Sequence, residues 1–113
     1  MADINSVVLS GRLTDEPKLH YVQRNTDESV AVCRFVLATE DTYGRTSFIP
    51  VIIWRHYAEA VANYVSKGQE VIVVGKIQSR QDKEKTRTFI EIHAQEVKFG
   101  AKSGANSNGS ENI

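Results

Sequence analysis

Along most of this chain apolar and polar side chains alternate, which is the period of an extended strand with one face covered. In residues 4–13, Val7, Leu9, Gly11 and Leu13 alternate with Ser6, Val8, Ser10 and Arg12, and the glycine suggests a bulge or a tight bend. Thr14-Asp15-Glu16-Pro17 is a turn, because proline fixes its own φ and biases Glu16 away from helix. Residues 18–22 are extended again, and the polar run 23–29 is a loop. In residues 30–39, Ala31, Cys33, Phe35 and Leu37 point to a core while Arg34 lies opposite. Residues 40–45 form a hairpin loop in which Gly44 supplies a positive φ and Tyr43 sits at the tip.

Residues 46–54 depart from this pattern. A period of two puts Phe48, Ile52 and Trp54 on one face and Ile49, Val51 and Ile53 on the other, so both faces are apolar. Pro50 donates no ladder hydrogen bond, and one weak pairing is expected there. The spacing then becomes helical over residues 57–65, with Tyr57, Val61, Tyr64 and Val65 as the apolar stripe and Lys67-Gly68 as a left-handed stop. In residues 70–80, Val71, Val73, Gly75 and Ile77 alternate with Ile72, Val74, Lys76, Gln78 and Arg80. The polar segment 78–88 reads as a long, flexible hairpin arm. In residues 88–99, Ile90, Ile92 and Ala94 oppose Phe89, Glu91 and His93. Five strands with one short helix between strands 3 and 4 give an all-β chain in the order of an OB-fold, a Greek-key barrel. That domain spans residues 1–100, and the polar tail at 101–113 cannot bury a core and is expected to be disordered.

Composition narrows the partners. With 14 basic and 14 acidic residues the formal net charge is zero, so binding to a polyanion cannot rest on overall charge and needs local clustering. Cys33 has no second cysteine to pair with, and no Cys/His spacing suits a metal, so no cofactor or metal is expected. There is no apolar run long enough to span a bilayer and no leader pattern, which fits a soluble cytoplasmic protein.

The two-sided strand at 46–54 has core on one side and, on the other, a platform for a ligand with flat apolar faces. Its neighbour turns basic through Lys76 and Arg80 on the same side. Rings beside cations suit a single-stranded nucleic acid, whose bases stack on the rings and whose phosphates pair with Lys and Arg. Arg12 and Arg34 extend the basic surface, and Arg80, Lys83, Lys85 and Arg87 make the arm a cationic finger, partly offset by Asp82 and Glu84. An enzyme is disfavoured: His56, His93 and Glu91 form no set of nucleophile, base and orienting group. An OB module that only docks proteins is the third reading.

In its motifs the chain resembles the bacterial single-stranded DNA-binding protein family. The matching stretches are NSVVLSGRLTDEPKLHY at 5–21, VCRFVLAT at 32–39, FIPVIIWR at 48–55, AEAVANY at 58–64, KG at 67–68, VGKIQSR at 74–80 and EIHAQEVKF at 91–99. The resemblance implies an OB-fold that assembles as a homotetramer and wraps single-stranded DNA without sequence preference in replication, recombination and repair. It places base-stacking rings on Tyr43, Phe48 and Trp54, and backbone contacts on or near Arg12, Arg34, Lys76, Gln78 and Arg80. Gln81-Asp82 replaces an aromatic that some members carry on the arm, and Pro50 replaces a basic residue. Most full-length members end in an acidic tip with a terminal Pro-Phe that recruits replication and repair enzymes. This sequence ends in Glu111-Asn112-Ile113, so a short or truncated form is expected. A primosomal replication-restart protein of the same fold, binding DNA as a dimer and bridging to a helicase, is the alternative.

Overall fold

The computed structural model describes residues 2–23 and 28–100; the expected disordered tail at 101–113 and the middle of the loop expected at 23–29 lie outside them. The elements run β1 (Val7–Leu13), β2 (Lys18–Gln23), β3 (Ser29–Glu40), β4 (Thr46–Trp54), α1 (His56–Tyr64), β5 (Glu70–Gln81) and β6 (Thr88–Phe99). This is the expected all-β, OB-like order. The sixth strand is the extended stretch after Pro17, which pairs along β3 in its own right from Lys18↔Arg34 to Gln23↔Ser29.

The sheet closes on itself. Antiparallel pairing joins β1 to β5 and β5 to β6, and a short parallel seam, Val51↔Ile92 and Ile52↔His93, joins β6 to β4. From β4 the ladder continues to β3, and β3 returns to β1 through Arg12↔Ala38 and Leu13↔Leu37. Gly11 stands where β1 reaches its second partner. A Cβ there would lie 2.3 Å from the Ala38 carbonyl oxygen, so the glycine permits a close crossing of two backbones. Of the bulge or tight bend suggested at Gly11, the bulge is absent, since the register with β5 runs unbroken from Val7 to Arg12. The register shift falls instead between Val74 and Gly75 on the β5–β6 ladder.

Inside the ring, Leu37, Val51, Val61, Val71, Val73 and Cys33 are fully buried. The alternation of β3 and β4 therefore points Ala31, Cys33, Phe35 and Leu37, and Val51 and Ile53, into one apolar cluster, as the sequence predicts. Burial pushes the Cys33 thiol up to about 11, so it behaves as a small apolar side chain. Pro50 causes no break in the β3–β4 ladder, contrary to expectation, because it stands opposite Val36. The Val36 carbonyl accepts from the Thr14 amide, so the hydrogen-bonding groups of Val36 face away from β4 and Pro50 has no donor to supply.

The helix packs across the sheet with Ala58 and Val61 buried, and the Tyr57 hydroxyl donates to the Val97 carbonyl of β6 at 3.0 Å. Tyr64, expected on the buried stripe, is 63% exposed, and the small Ala58 takes its place. Ala58, Val61 and Val65 recur at three and four residues, the true stripe, and it leaves Tyr64 on the flank. The helix stops at Val65, already extended, and not at Gly68. Gly68, at φ 83°, is the third residue of a separate turn closed by the Gln69 amide on the Ser66 carbonyl at 3.1 Å. Gln69 is buried with its amide engaged: its Oε1 accepts from the Ser66 amide and its Nε2 donates to the Gly100 carbonyl.

Between β4 and α1, Arg55 adopts φ 70° and ψ −147°, a conformation that suits glycine. Its amide is pinned by a 2.7 Å hydrogen bond to the Ala31 carbonyl. Replacing Arg55 by glycine should therefore relieve strain and stabilise the fold by about 1 kcal/mol, after the extra entropy of the unfolded chain is counted. Thermal denaturation checks this, the expected result being a melting point raised by about 5 °C.

Candidate nucleic-acid interface

Residues directly opposite each other in a β-ladder point to the same side of the sheet, so the register identifies which side chains share the outer surface. One row, Lys18, Arg34, Ile52, His93 and Lys76, crosses five strands in turn. Beside it runs His20, Val32 and Trp54. On the other flank are Val36 and Pro50, Glu91 and Gln78, then Arg12, Ala38 and Phe48, and the pair Arg80 and Phe89. Strand alternation alone thus brings Arg34, Phe48, Trp54, Lys76, Gln78 and Arg80 onto one continuous face.

Exposure sorts the rings. Phe48 is 64% exposed and Tyr43 86%, whereas Trp54 is half-buried. Val32 and Ile52 lie on this outer face yet are buried, at 1% and 2% exposure. Their register neighbours Trp54, Arg34 and His93 are all long enough to roof them. The platform is therefore apolar beneath and aromatic or cationic on top. A hollow of about 370 Å³ opens over it, floored by Val36, Pro50 and Ile52 and bordered by Arg34, Lys18 and the Asp15-Glu16 turn.

Two hairpins frame the face. At the tip of β3–β4 the Asp41 carboxylate accepts from the Tyr43 and Arg45 amides at 2.8 and 3.0 Å, and Gly44 turns the chain at φ 82°. Tyr43 is thus an exposed ring on a turn held by hydrogen bonds. The β5–β6 arm is more regular than expected: the ladder continues to Gln81↔Thr88, so Gln78, Ser79, Arg80 and Gln81 are strand and only six residues, 82–87, form the turn. That turn is tied by Asp82, whose carboxylate accepts from both the amide and the hydroxyl of Thr86 at 2.8 Å. The Thr86 hydroxyl, first, and the backbone amides beside it hold the Asp82 carboxyl below its ordinary value. Lys83, Lys85 and Arg87 are exposed at this tip, away from the rows on the body.

Arg12 is tied to the turn before β5, since its Nη1 donates to the Gly68 carbonyl at 3.1 Å. Arg80 stacks over the Phe89 ring with its guanidinium carbon 4.9 Å from the centroid. Phe89, Lys18, His93 and the buried Glu91 belong to the same face but were not among the predicted site residues. Alternation could have placed the first three; nothing in the local sequence signals the burial of Glu91. Among the described residues no group of three or more His, Cys, Asp and Glu is arranged to hold a metal, and no helix is long and apolar enough to cross a membrane.

Comparison with known proteins gives consistent results. Residues 4–100 match the model of the single-strand binding protein family. A protein of Clostridium acetobutylicum called single-stranded DNA-binding protein 2 is 40% identical over 104 residues, covering 85% of this chain and 76% of its own length. The single-stranded DNA-binding protein of Clostridium tetani is 39% identical over 121 residues, covering 97% of this chain and 81% of its own. Among solved structures, the single-stranded DNA-binding protein of Thermus aquaticus superposes with a TM-score of 0.71 at 29% identity. It covers 94% of this chain, which spans 45% of that longer one.

Proposed function

The chain belongs to the single-strand binding protein family, and on that premise we propose that it binds single-stranded DNA without sequence preference, by stacking bases on rings and pairing phosphates with Lys and Arg. The observation that carries this reading is the outer face itself: the exposed ring of Phe48 and the half-buried Trp54 share one side of the sheet with Arg34, Lys76 and Arg80, and Val32 and Ile52 on that side are buried. Tyr43 and Trp54 supply the other rings, Arg34, Lys76, Gln78 and Arg80 follow the backbone, and Arg12, Lys83, Lys85 and Arg87 flank it. No chemical step is required. A protein that binds the unpaired strand and not the duplex shifts melting toward the unpaired state by mass action, and so protects and unfolds DNA in replication, recombination and repair.

The named relatives are single-stranded DNA-binding proteins, which supports this reading over the primosomal one. A homotetramer is the assembly we propose, against the dimer of the alternative, and solution mass separates them.

Titration of Trp54 fluorescence with oligo(dT) at low and high salt tests the function. Each phosphate neutralised should add about 0.7 to the slope of log affinity against log salt, so four contacts give a slope of roughly −3. A response to oligo(dT) that falls steeply with salt is the expected result. No binding at low salt, or binding indifferent to salt, would sink the proposal.

A further inference from the structure

Glu91 is 4% exposed although strand alternation places it on the outer, ligand-facing side of β6. A buried carboxylate is costly unless cations compensate it, and this one has two. The Arg34 Nη1 lies 3.7 Å and the Arg80 Nε 3.6 Å from the same oxygen, Oε2, while His93 Nε2 lies 3.3 Å from Oε1. The exposures are unequal: the Glu91 side chain is 5% exposed, those of Arg34 and Arg80 46% and 50%. The anion therefore sits beneath and the two guanidinium groups above, facing solvent. Both ion-pair distances exceed the roughly 2.7–2.9 Å of a charge-assisted hydrogen bond. Each guanidinium has five N–H donors, so most remain for another acceptor arriving from outside.

Given the single-stranded DNA reading, on which this step rests, we infer that Glu91 is a resident counter-anion of the binding face, sharing Arg34 and Arg80 with the incoming phosphate. Two cations above one anion leave a net charge of one toward the strand where the sequence alone suggests two. Glu91 therefore positions the arginines and also limits how strongly the centre of the face can hold the sugar–phosphate chain. Release from DNA is eased because the arginines return to a partner already in place.

Glu91→Gln keeps the shape and removes the charge. Oligo(dT) affinity should rise roughly fivefold, the effect of a unit charge over a few ångströms at a watery surface. The slope of log affinity against log salt should steepen by about 0.7, one additional phosphate neutralised. Glu91→Asp keeps the charge, so its slope should follow the wild type whatever its affinity. Weaker binding by Glu91→Gln with an unchanged slope would show that the carboxylate only holds the arginines, and no change at all would also overturn the inference. Should Glu91→Gln fail to fold, Arg34→Gln and the double variant Arg34→Gln/Glu91→Gln decide the matter. Arg34→Gln leaves one arginine over one carboxylate, so its salt slope should be shallower than the wild type by about 0.7, whereas the double variant leaves one arginine and no carboxylate, the wild-type net charge, and should restore the wild-type slope. A double variant whose slope stays at that of Arg34→Gln would refute the shared anion. Wild-type protein that ignores oligo(dT) overturns the DNA reading and this inference together, whereas wild-type binding with the wrong variant pattern overturns only this inference.

Discussion

Phe48→Ala should weaken oligo(dT) binding by roughly 5- to 150-fold, because a base stacked on an aromatic ring contributes about 1–3 kcal/mol. The ring is 64% exposed in the free protein, so its removal opens no cavity and the melting temperature should barely move. This separation of binding from folding is what identifies the ring as a ligand contact. Phe48→Leu refines the test, since leucine keeps apolar area and loses the flat face; it should bind nearly as poorly as alanine. Trp54 must stay as reporter, so anisotropy of a labelled oligonucleotide provides an independent reading. Affinity unchanged in Phe48→Ala would remove the main support for the stacking platform.

The largest effect on stability is expected from Gly75→Ala. A Cβ there would lie 2.3 Å from the His93 carbonyl oxygen and 2.9 Å from the Ala94 Cα. Both are backbone atoms of the paired strand, so no side chain can swing away, and the β5–β6 ladder must move at its bulge. Overpacking of this kind costs about 3 kcal/mol, the upper end of the usual range, or roughly 15 °C in melting temperature. Gly44→Ala is the useful contrast. Its Cβ would meet nothing nearer than a Glu40 carboxylate oxygen at 3.9 Å, so only the positive φ of 82° opposes it, at about 1 kcal/mol. If the two substitutions cost the same in chemical denaturation, steric crowding at Gly75 is not the controlling term.

Much of this architecture is legible in the sequence because a strand with one covered face writes its orientation into every second residue. Cys33, Leu37, Val51 and Val73 could be placed in the core, and Arg34, Lys76 and Phe48 outside it, without coordinates. What escapes is what depends on several strands at once. Ile52 and Val32 are buried on a face where alternation alone leaves them exposed, and Glu91 is buried beside arginines contributed by β3 and β5. Gly11 reads as a bend and is a crossing, since the second backbone belongs to β3. Tyr64 and Ala58 show the same limit in the helix: hydrophobicity favours the tyrosine, and close approach favours the alanine. Asp82, read as a charge that offsets the arm, instead ties its turn through Thr86.

The row from Lys18 to Lys76 has a length as well as a composition. It crosses four inter-strand gaps, and at about 4.8 Å each that is roughly 19 Å along the curved surface. A single strand lying along it at the roughly 3.4 Å rise of a stacked duplex strand would have a footprint of about five or six nucleotides, inside the range known for a single OB module. On the proposed reading, a strand of two or three nucleotides at that rise would fall short of the lysine at either margin, so each copy of the chain would carry its own ruler for the shortest stacked DNA it can grip with its whole width.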